Sequence, residues 1–226
     1  AMKKIAELGV QILGGCCGTT PEYIKEMIAE VEGSPLKREI PVLEAAVCTP
    51  TQFVPINDVR VIGERINPTG KKRFKQALIN NEMDYIIGQA VEQVDAGAPI
   101  LDVNVGLPEI DEPSFMIKTV KALQSVVDVP LQIDSSNRGA IESGLRIYNG
   151  KPILNSVNGE QESMDSILPF VKKYGACVVG LTLDENGIPA TGEGRFAIAE
   201  KILKEAAKYG IPKEDVFIDC LTLTVS

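Results

Sequence analysis

Short apolar runs alternate with longer amphipathic segments along most of this chain. The apolar runs are bounded by turn residues and spaced very roughly 20–40 residues apart, a pattern that predicts consecutive βα units on a parallel sheet. The intervening segments have the spacing of helices that cover such a sheet. The predicted strands are 61–67, 100–104, 131–134, 153–155, 178–182 and 216–219. The predicted helices are 71–96, 114–126, 138–148, 163–174 and 195–209.

Nearly every predicted strand ends on a polar residue. Strands of a parallel sheet are buried on both faces, so polar residues at these positions need a reason. In a (β/α) barrel the carboxyl ends of the strands meet at one rim, where active sites lie. The pattern therefore predicts a ring of Asn and Asp side chains around one pocket. The candidates are Glu64, Asn67, Asp102, Asn104, Asp134, Asn155 and Asp219.

The number of units indicates an incomplete barrel. An eight-unit barrel takes about 250 residues, whereas only six strands fit between Asp58 and the end of the sequence. Before them, residues 1–32 contain a strand-like stretch at 10–13, a glycine-rich turn and a helix that Thr20 and Pro21 begin. Residues 33–57 are rich in proline and predict a linker, with a short strand possible at 42–47. We therefore expect the end of one barrel, a linker, and most of a second barrel, as a segment of a larger protein.

Composition removes several classes of function. The formal net charge of −8, with no basic cluster, argues against nucleic-acid binding. No apolar run approaches the length of a membrane span, and no signal-peptide pattern opens the chain. Five cysteines, an odd number, are typical of a reducing compartment and predict a cytoplasmic protein. The absence of histidine excludes a Ser-His-Asp triad and a histidine-ligated cofactor within this chain.

Five motifs carry a resemblance to known families. Gly-Gly-Cys-Cys-Gly-Thr-Thr-Pro at 14–21 resembles the C-terminal zinc motif of homocysteine S-methyltransferase barrels. Gly-Glu-Arg-Ile-Asn at 63–67, Leu-Asp-Val-Asn-Val-Gly at 101–106, Ile-Asp-Ser-Ser at 133–136 and Asn-Ser at 155–156 resemble the pterin-binding barrels of methyltetrahydrofolate methyltransferases. In this order, the motifs resemble the family of cobalamin-dependent methionine synthases over essentially the whole chain.

The resemblance implies a fold, a reaction and a set of roles. The fold is a TIM-type (β/α)8 pterin-binding barrel, similar to dihydropteroate synthase, at 58–226, preceded by the end of a homocysteine barrel. The reaction is transfer of the N5 methyl group of 5-methyltetrahydrofolate to reduced cobalamin during methionine synthesis. The implied pterin ligands are Asp134, Asn155 and Asp219, with Glu64, Asn67, Asp102 and Asn104 as further candidates.

The resemblance also implies parts that this sequence lacks. Cys16 and Cys17 are implied zinc ligands, but the third cysteine belongs to an earlier strand of the homocysteine barrel. The Asn that reaches N5 lies on the seventh barrel strand, so the catalytic residue is unknown here. Cobalamin is bound by another module of the parent protein, and that domain and the homocysteine barrel are the implied partners.

The residue types suit a pterin independently of the resemblance. A pterin presents an amide N–H beside an exocyclic amino group, and one ionised Asp can accept from both. Asn can donate and accept, which suits ring positions of mixed character.

Several alternatives stay open from the sequence. Asp134 and Asn155 could cap the helices that follow them, and Glu64 could form an internal ion pair with Arg65. Cys16 and Cys17 could be buried apolar residues. For function, the alternatives are a methyltransferase that serves a corrinoid iron–sulfur protein and a non-catalytic folate-binding fragment.

Overall fold

The computed structural model describes residues 1–10, 12–33 and 44–222 in two compact units, Ala1–Leu43 and Glu44–Ser226. The first unit contains helices α1 (Met2–Glu7) and α2 (Pro21–Val31). Helix α2 begins as expected, with Thr20 at the N-cap and Pro21 at the first helical position. The expected strand at 10–13 is wrong for its described residues, since Val10, Ile12 and Leu13 form no strand, while Gln11 lies outside the described part. An extended segment needs a neighbouring strand for its backbone hydrogen bonds, and the described residues of this unit supply none.

The second unit begins with a hairpin of two short antiparallel strands, β1 (Ala46–Cys48) and β2 (Phe53–Pro55). Of the strand expected at 42–47, residues 42 and 43 lie outside the described part. Val47 and Val54 of the hairpin pack against Ile100, Ile153 and Cys177, each of which opens a strand of the main sheet. The hairpin therefore closes the amino end of the sheet, opposite the polar strand ends.

The main sheet has six parallel strands that neighbour one another in chain order. This arrangement confirms the predicted succession of βα units on a barrel-type sheet. The strands are β3 (Ile62–Ile66), β4 (Ile100–Asn104), β5 (Leu131–Asp134), β6 (Ile153–Asn158), β7 (Cys177–Leu181) and β8 (Val216–Asp219).

Amphipathic helices cover one face of this sheet. Leu101 and Val103 of β4 belong to the large core with the helices, whereas Asp102 and Asn104 alternate with them on the opposite face. The helices are α3 (Lys72–Ile79), α4 (Met83–Asp95), α5 (Glu112–Gln124), α6 (Arg138–Ile147), α7 (Gln161–Tyr174) and α8 (Gly192–Lys208), and the 3-10 helix Lys213–Asp215 precedes β8. Within the described ranges, no helix is both long and apolar enough to cross a membrane.

The single helix expected at 71–96 is wrong. Helix α3 ends at Ile79 and α4 begins at Met83, and Asn81 between them has φ of 56°. Asn is among the few residues that tolerate this left-handed conformation, which ends a helix. Apolar residues of both helices, such as Phe74 and Ile86, are buried in the same core, so the periodic pattern runs across the break.

Candidate functional site

Three of the predicted site residues lie side by side at the carboxyl end of the sheet. In the strand register Asn104 of β4 is opposite Asp134 of β5, and Asp134 is opposite Asn155 of β6. Asn104 Nδ2 donates to Asp134 Oδ2 across 2.8 Å. Asn104 Oδ1 accepts from the backbone N–H of Gly106 at 2.8 Å, and a Cβ at Gly106 would lie 3.1 Å from that oxygen. We call Asn104, Asp134 and Asn155 the upper row.

Asp134 is the charged member of the upper row. Burial raises the pKa of Asp134, the hydrogen bond from Asn104 opposes this rise, and the nearby carboxylates of Glu64 and Glu112 add to it. Asp134 Oδ1 accepts no hydrogen bond from a described residue. Asp134 and Asn155 line a cavity of about 430 Å³, so polar atoms of the row face open space.

The helix-capping alternative for Asp134 and Asn155 is wrong. The N-cap of α6 is Asn137, whose Oδ1 accepts from Gly139 and Ala140. Ahead of α7, the side chain of Asn158 accepts from the backbone N–H of Glu160. Neither Asp134 nor Asn155 is used to cap a helix, which leaves their side chains available to a ligand.

A second row, which we call the lower row, lies one step nearer the hairpin and consists of Asp102 and Gln132. The two residues are opposite each other in the register, and Gln132 Nε2 donates to Asp102 Oδ1 across 2.6 Å. Asp102 is only 2% exposed. Burial raises the pKa of Asp102 to about 7, and Asp134 and Glu64 add to this rise, whereas hydrogen bonding from the side chains of Gln132 and Asn67 opposes it.

The candidates Glu64 and Asn67 lie at the end of β3, whose pairing with β4 is irregular. The register between β3 and β4 shifts after Gly63, where a Cβ would lie 2.7 Å from Gln93 Oε1. Glu64 pairs with Lys71 at 3.1 Å and, among the described residues, forms no ion pair with Arg65, so that alternative is wrong. The buried Asn67 accepts from the backbone N–H of Thr69, which stabilises the loop after the strand.

Asp219 stands apart from the upper row. In the register it is opposite Leu181 of β7, which is itself opposite Asn158 of β6, beyond an irregularity in the β6–β7 pairing. The Asp219 side chain is exposed and accepts from the backbone N–H of Leu221 at 2.7 Å. Among the described residues, Asp219 therefore forms no hydrogen bond with Asp134 or Asn155.

Two rim residues were not among the sequence candidates. Glu112 opens α5 and accepts a short hydrogen bond from Ser135, which directly follows Asp134. Together with Asn104 they line a second cavity of about 860 Å³. The signal in the sequence is weak, because an acidic residue in the first turn of a helix ordinarily balances the helix dipole. The rim is therefore more acidic than the strand ends alone indicate.

Cys16 and Cys17 lie on the glycine-rich turn of the first unit. Both thiols are exposed, so the alternative of buried apolar cysteines is wrong for this unit. Their sulfurs are 3.7 Å apart, and hydrogen bonds from the backbone N–H and the thiol of Cys17 lower the pKa of Cys16. A Cβ at Gly15 would overlap Thr19, so the turn requires glycine there.

The cysteine pair fits part of a zinc site. Two thiolates 2.3 Å from one tetrahedral zinc ion stand about 3.8 Å apart, close to the observed spacing. Within the described residues, however, no group of three or more Cys, His, Asp or Glu side chains is placed to hold a metal ion. The turn therefore offers two thiols, fewer than the three or four protein ligands of a zinc site.

We expect these 226 residues to bind well under one zinc per chain, because two thiolates leave the ion under-ligated. Elemental analysis of purified protein measures the ratio. The Cys16→Ser/Cys17→Ser variant should lose the residual metal, whereas Cys220→Ser, which removes another exposed thiol, should retain it. Stoichiometric zinc that depends on Cys16 and Cys17 would instead show that a further ligand exists.

The parallel barrel-type sheet has an Asn–Asp–Asn row at its carboxyl end, which is typical of a barrel that binds a polar ligand there. Comparison with known proteins identifies the family of this barrel. The family model described as pterin binding enzyme matches residues 63–226, and the chain belongs to this family. A second model, described as homocysteine S-methyltransferase, matches residues 1–31.

Curated relatives confirm the resemblance to methionine synthases. The chain is 32% identical to methionine synthase from Mycobacterium leprae over 236 residues, which cover 98% of this chain and 20% of that protein. It is also 32% identical to methionine synthase from Mycobacterium tuberculosis over 231 residues, which cover 98% of this chain and 19% of that protein. The chain thus spans about a fifth of the length of these relatives.

Solved structures confirm the fold class. The structure of Yersinia pestis dihydropteroate synthase with a sulfonamide drug complex has a TM-score of 0.61 at 17% identity, covering 77% of this chain and 66% of that one. Vibrio fischeri 7,8-dihydropteroate synthase has a TM-score of 0.57 at 16% identity, covering 77% and 65%. The second unit therefore has the fold of dihydropteroate synthase barrels.

Proposed function

We propose that the second unit binds 5-methyltetrahydrofolate through its pterin ring and presents the N5 methyl group for transfer to cob(I)alamin in methionine synthesis. The observation that carries the proposal is the upper row, where Asp134 is held by Asn104, flanked by Asn155 and open to a cavity. Membership of the pterin-binding family and the similarity to methionine synthases support it.

The upper row has the chemistry that a pterin edge requires. Asp134 accepts from the ring N–H and the exocyclic amino group, because an ionised carboxylate offers acceptors only. Asn104 fixes the carboxylate by donating to one of its oxygens. Asn155 supplies both a donor and an acceptor beside it. Glu64, Asn67 and Asp219 are proposed to surround the ring from neighbouring strands.

Methyl transfer breaks the bond between N5 and its methyl carbon. The nitrogen keeps the electron pair and must take up a proton, because an amine anion is a poor leaving group. The chain contributes by orienting the ring and by excluding water. Cobalamin would supply the methyl acceptor, and this chain has no histidine to ligate its cobalt.

The proposal also assigns the domains, the partners and the cellular compartment. Residues 1–32 are proposed to be the carboxyl end of a homocysteine S-methyltransferase barrel whose zinc ligands include Cys16 and Cys17. Residues 33–57 are proposed to connect it to the pterin-binding barrel at 58–226, although part of that stretch forms the β1–β2 hairpin. The proposed partners are that homocysteine barrel and a cobalamin-binding domain of the same protein. The free cysteines favour the cytoplasm.

The test is a calorimetric titration of the protein with 5-methyltetrahydrofolate and, separately, with p-aminobenzoylglutamate, which lacks the pterin. We expect saturable binding of the first ligand only, because the proposed contacts all reach the pterin. Equal affinity for both ligands would show that the pterin is not recognised, and the proposal would then be wrong.

A further inference from the structure

Two buried polar atoms of the lower row have no hydrogen-bond partner among the described residues. They are Asp102 Oδ2 and Gln132 Oε1, on side chains of residues that are 2% and 7% exposed. The other ends of the same two groups are joined, since Gln132 Nε2 donates to Asp102 Oδ1. Buried polar atoms are nearly always paired, so two unpaired acceptors on one bonded pair require an explanation.

A single proton on the Asp102 carboxyl group would give both of these atoms a hydrogen-bond partner. An ionised carboxylate can only accept, whereas a protonated carboxyl group has an O–H donor beside its remaining acceptor. A proton on Oδ2 would let Asp102 donate to Gln132 Oε1 while it accepts from Gln132 Nε2, and the two groups would then form a cyclic acid–amide pair. Turning the Gln132 amide over exchanges its two atoms and leaves the need for a proton unchanged.

The surroundings of Asp102 favour the neutral form. The charged groups that face it are Glu64 on β3 and Asp134 on β5, and Glu112 on α5 lies beside Asp134. The nearby cation Lys71 pairs with Glu64. Among the described residues, no Lys or Arg forms an ion pair with Asp102. The amide side chains of Gln132 and Asn67 favour the ionised form, but a carboxylate at this position would be buried without a counter-charge and next to like charges, and burial outweighs the amides.

We propose that Gln132 is a positioning residue that holds Asp102 as a neutral acid beneath the pterin site, and that folate binding takes up a proton at Asp102. The second clause rests on the proposed function. A pterin bound to the upper row would cover the lower row and displace water from above it, which further disfavours the ionised form. By linkage, whatever favours the protonated form must itself be favoured by protons.

The proposal predicts a pH profile with a defined sign. Since the pKa of Asp102 is about 7 before folate binds, affinity for 5-methyltetrahydrofolate should fall about tenfold between pH 6 and pH 8. The Asp102→Asn variant should lose this dependence, because the amide imitates the neutral acid. Asp134 acts in the opposite direction, since its carboxylate must be ionised to accept from the ring, and it weakens binding at low pH.

The experiment combines two measurements on the same protein. Infrared difference spectra across the same pH range detect the carbonyl stretch of a protonated carboxylic acid without folate, and this band should be absent in Asp102→Asn. Calorimetry at pH 8 in two buffers of different ionisation enthalpy measures the protons taken up when 5-methyltetrahydrofolate binds. We expect uptake approaching one proton in the wild type and in the exposed-site control Asp95→Asn, and none in Asp102→Asn.

The outcomes separate this inference from the proposed function. If folate binds but the wild type shows neither the acid band nor proton uptake, Asp102 is ionised, a buried water donates to both orphaned acceptors, and the inference is overturned. If the acid band is present but folate does not bind, the proposed function fails and the proton-uptake clause fails with it. The wild-type measurements alone decide both points if Asp102→Asn does not fold.

Discussion

Replacing Asp134 with Ala should weaken binding of 5-methyltetrahydrofolate by ~2–4 kcal/mol, roughly 30-fold to 1,000-fold in the dissociation constant. The substitution removes a charged acceptor from two buried donors of the pterin, which then have no partner in the site. It also leaves Asn104 Nδ2 without the oxygen to which it donates at 2.8 Å. Isothermal titration calorimetry at one pH measures the change.

A matched control separates the lost contact from the lost charge. Asp95 is an exposed residue at the end of α4, on the side of the sheet where strands begin, so Asp95→Ala removes the same charge far from the upper row. We expect Asp95→Ala to bind folate as the wild type does. An unchanged dissociation constant for Asp134→Ala, with the fold intact by circular dichroism, would remove Asp134 from the site.

The strands could be predicted because buried parallel strands have a simple sequence pattern. Residues 100–104, 131–134 and 216–219 were expected as strands and form β4, β5 and β8 with those bounds. Their polar ends were expected to meet because the carboxyl ends of parallel strands share one rim. That argument predicts which residues approach each other, and for Asn104 and Asp134 it is confirmed by a direct hydrogen bond.

Register could not be predicted in the same way. The position of Asp219 beyond the upper row follows an irregularity between β6 and β7. The course of β3 depends on the buried Gln93 of α4, whose Oε1 accepts from the backbone N–H of Arg65 and leaves no room for a Cβ at Gly63. Both are tertiary effects, which act between segments far apart in the sequence. When a strand slips by one residue, each of its side chains moves to the opposite face of the sheet. Local sequence patterns alone therefore do not determine the register of a strand.

Gln132 shows a different limit of the sequence pattern. It alternates with Asp134 on β5 as Asp102 alternates with Asn104 on β4, so the same argument places it on the inner face. A polar residue in mid-strand gives no comparable signal, because only the ends of the strands lie at the rim where sites are expected. The register between β4 and β5, which the sequence does not show, places it opposite Asp102.

Replacing Asp102 with Asn should stabilise the protein at pH 8 by roughly 4 kcal/mol, since each of about three pKa units corresponds to about 1.4 kcal/mol. The pKa of Asp102 is raised from 3.8 to about 7 on folding. The folded state therefore holds more protons than the unfolded state between these values. The stability that neutral Asp102 contributes is fully present below about pH 4 and is lost as the pH rises through about 7. Asn keeps the bond with Gln132 and carries no charge at any of these pH values.

Urea unfolding of both proteins at pH 5 and at pH 8 measures this difference. The advantage of Asp102→Asn should be small at pH 5, which lies only about one unit above the unfolded-state pKa of 3.8, and should more than double at pH 8. Asp95→Asn is the control, since an exposed carboxylate has little to gain from neutralisation and should give no divergence. A difference between wild type and Asp102→Asn that is equal at both pH values would mean that Asp102 carries the same charge throughout. In that case the lower row is not a titrating acid–amide pair, and its unpaired oxygens must be satisfied by water.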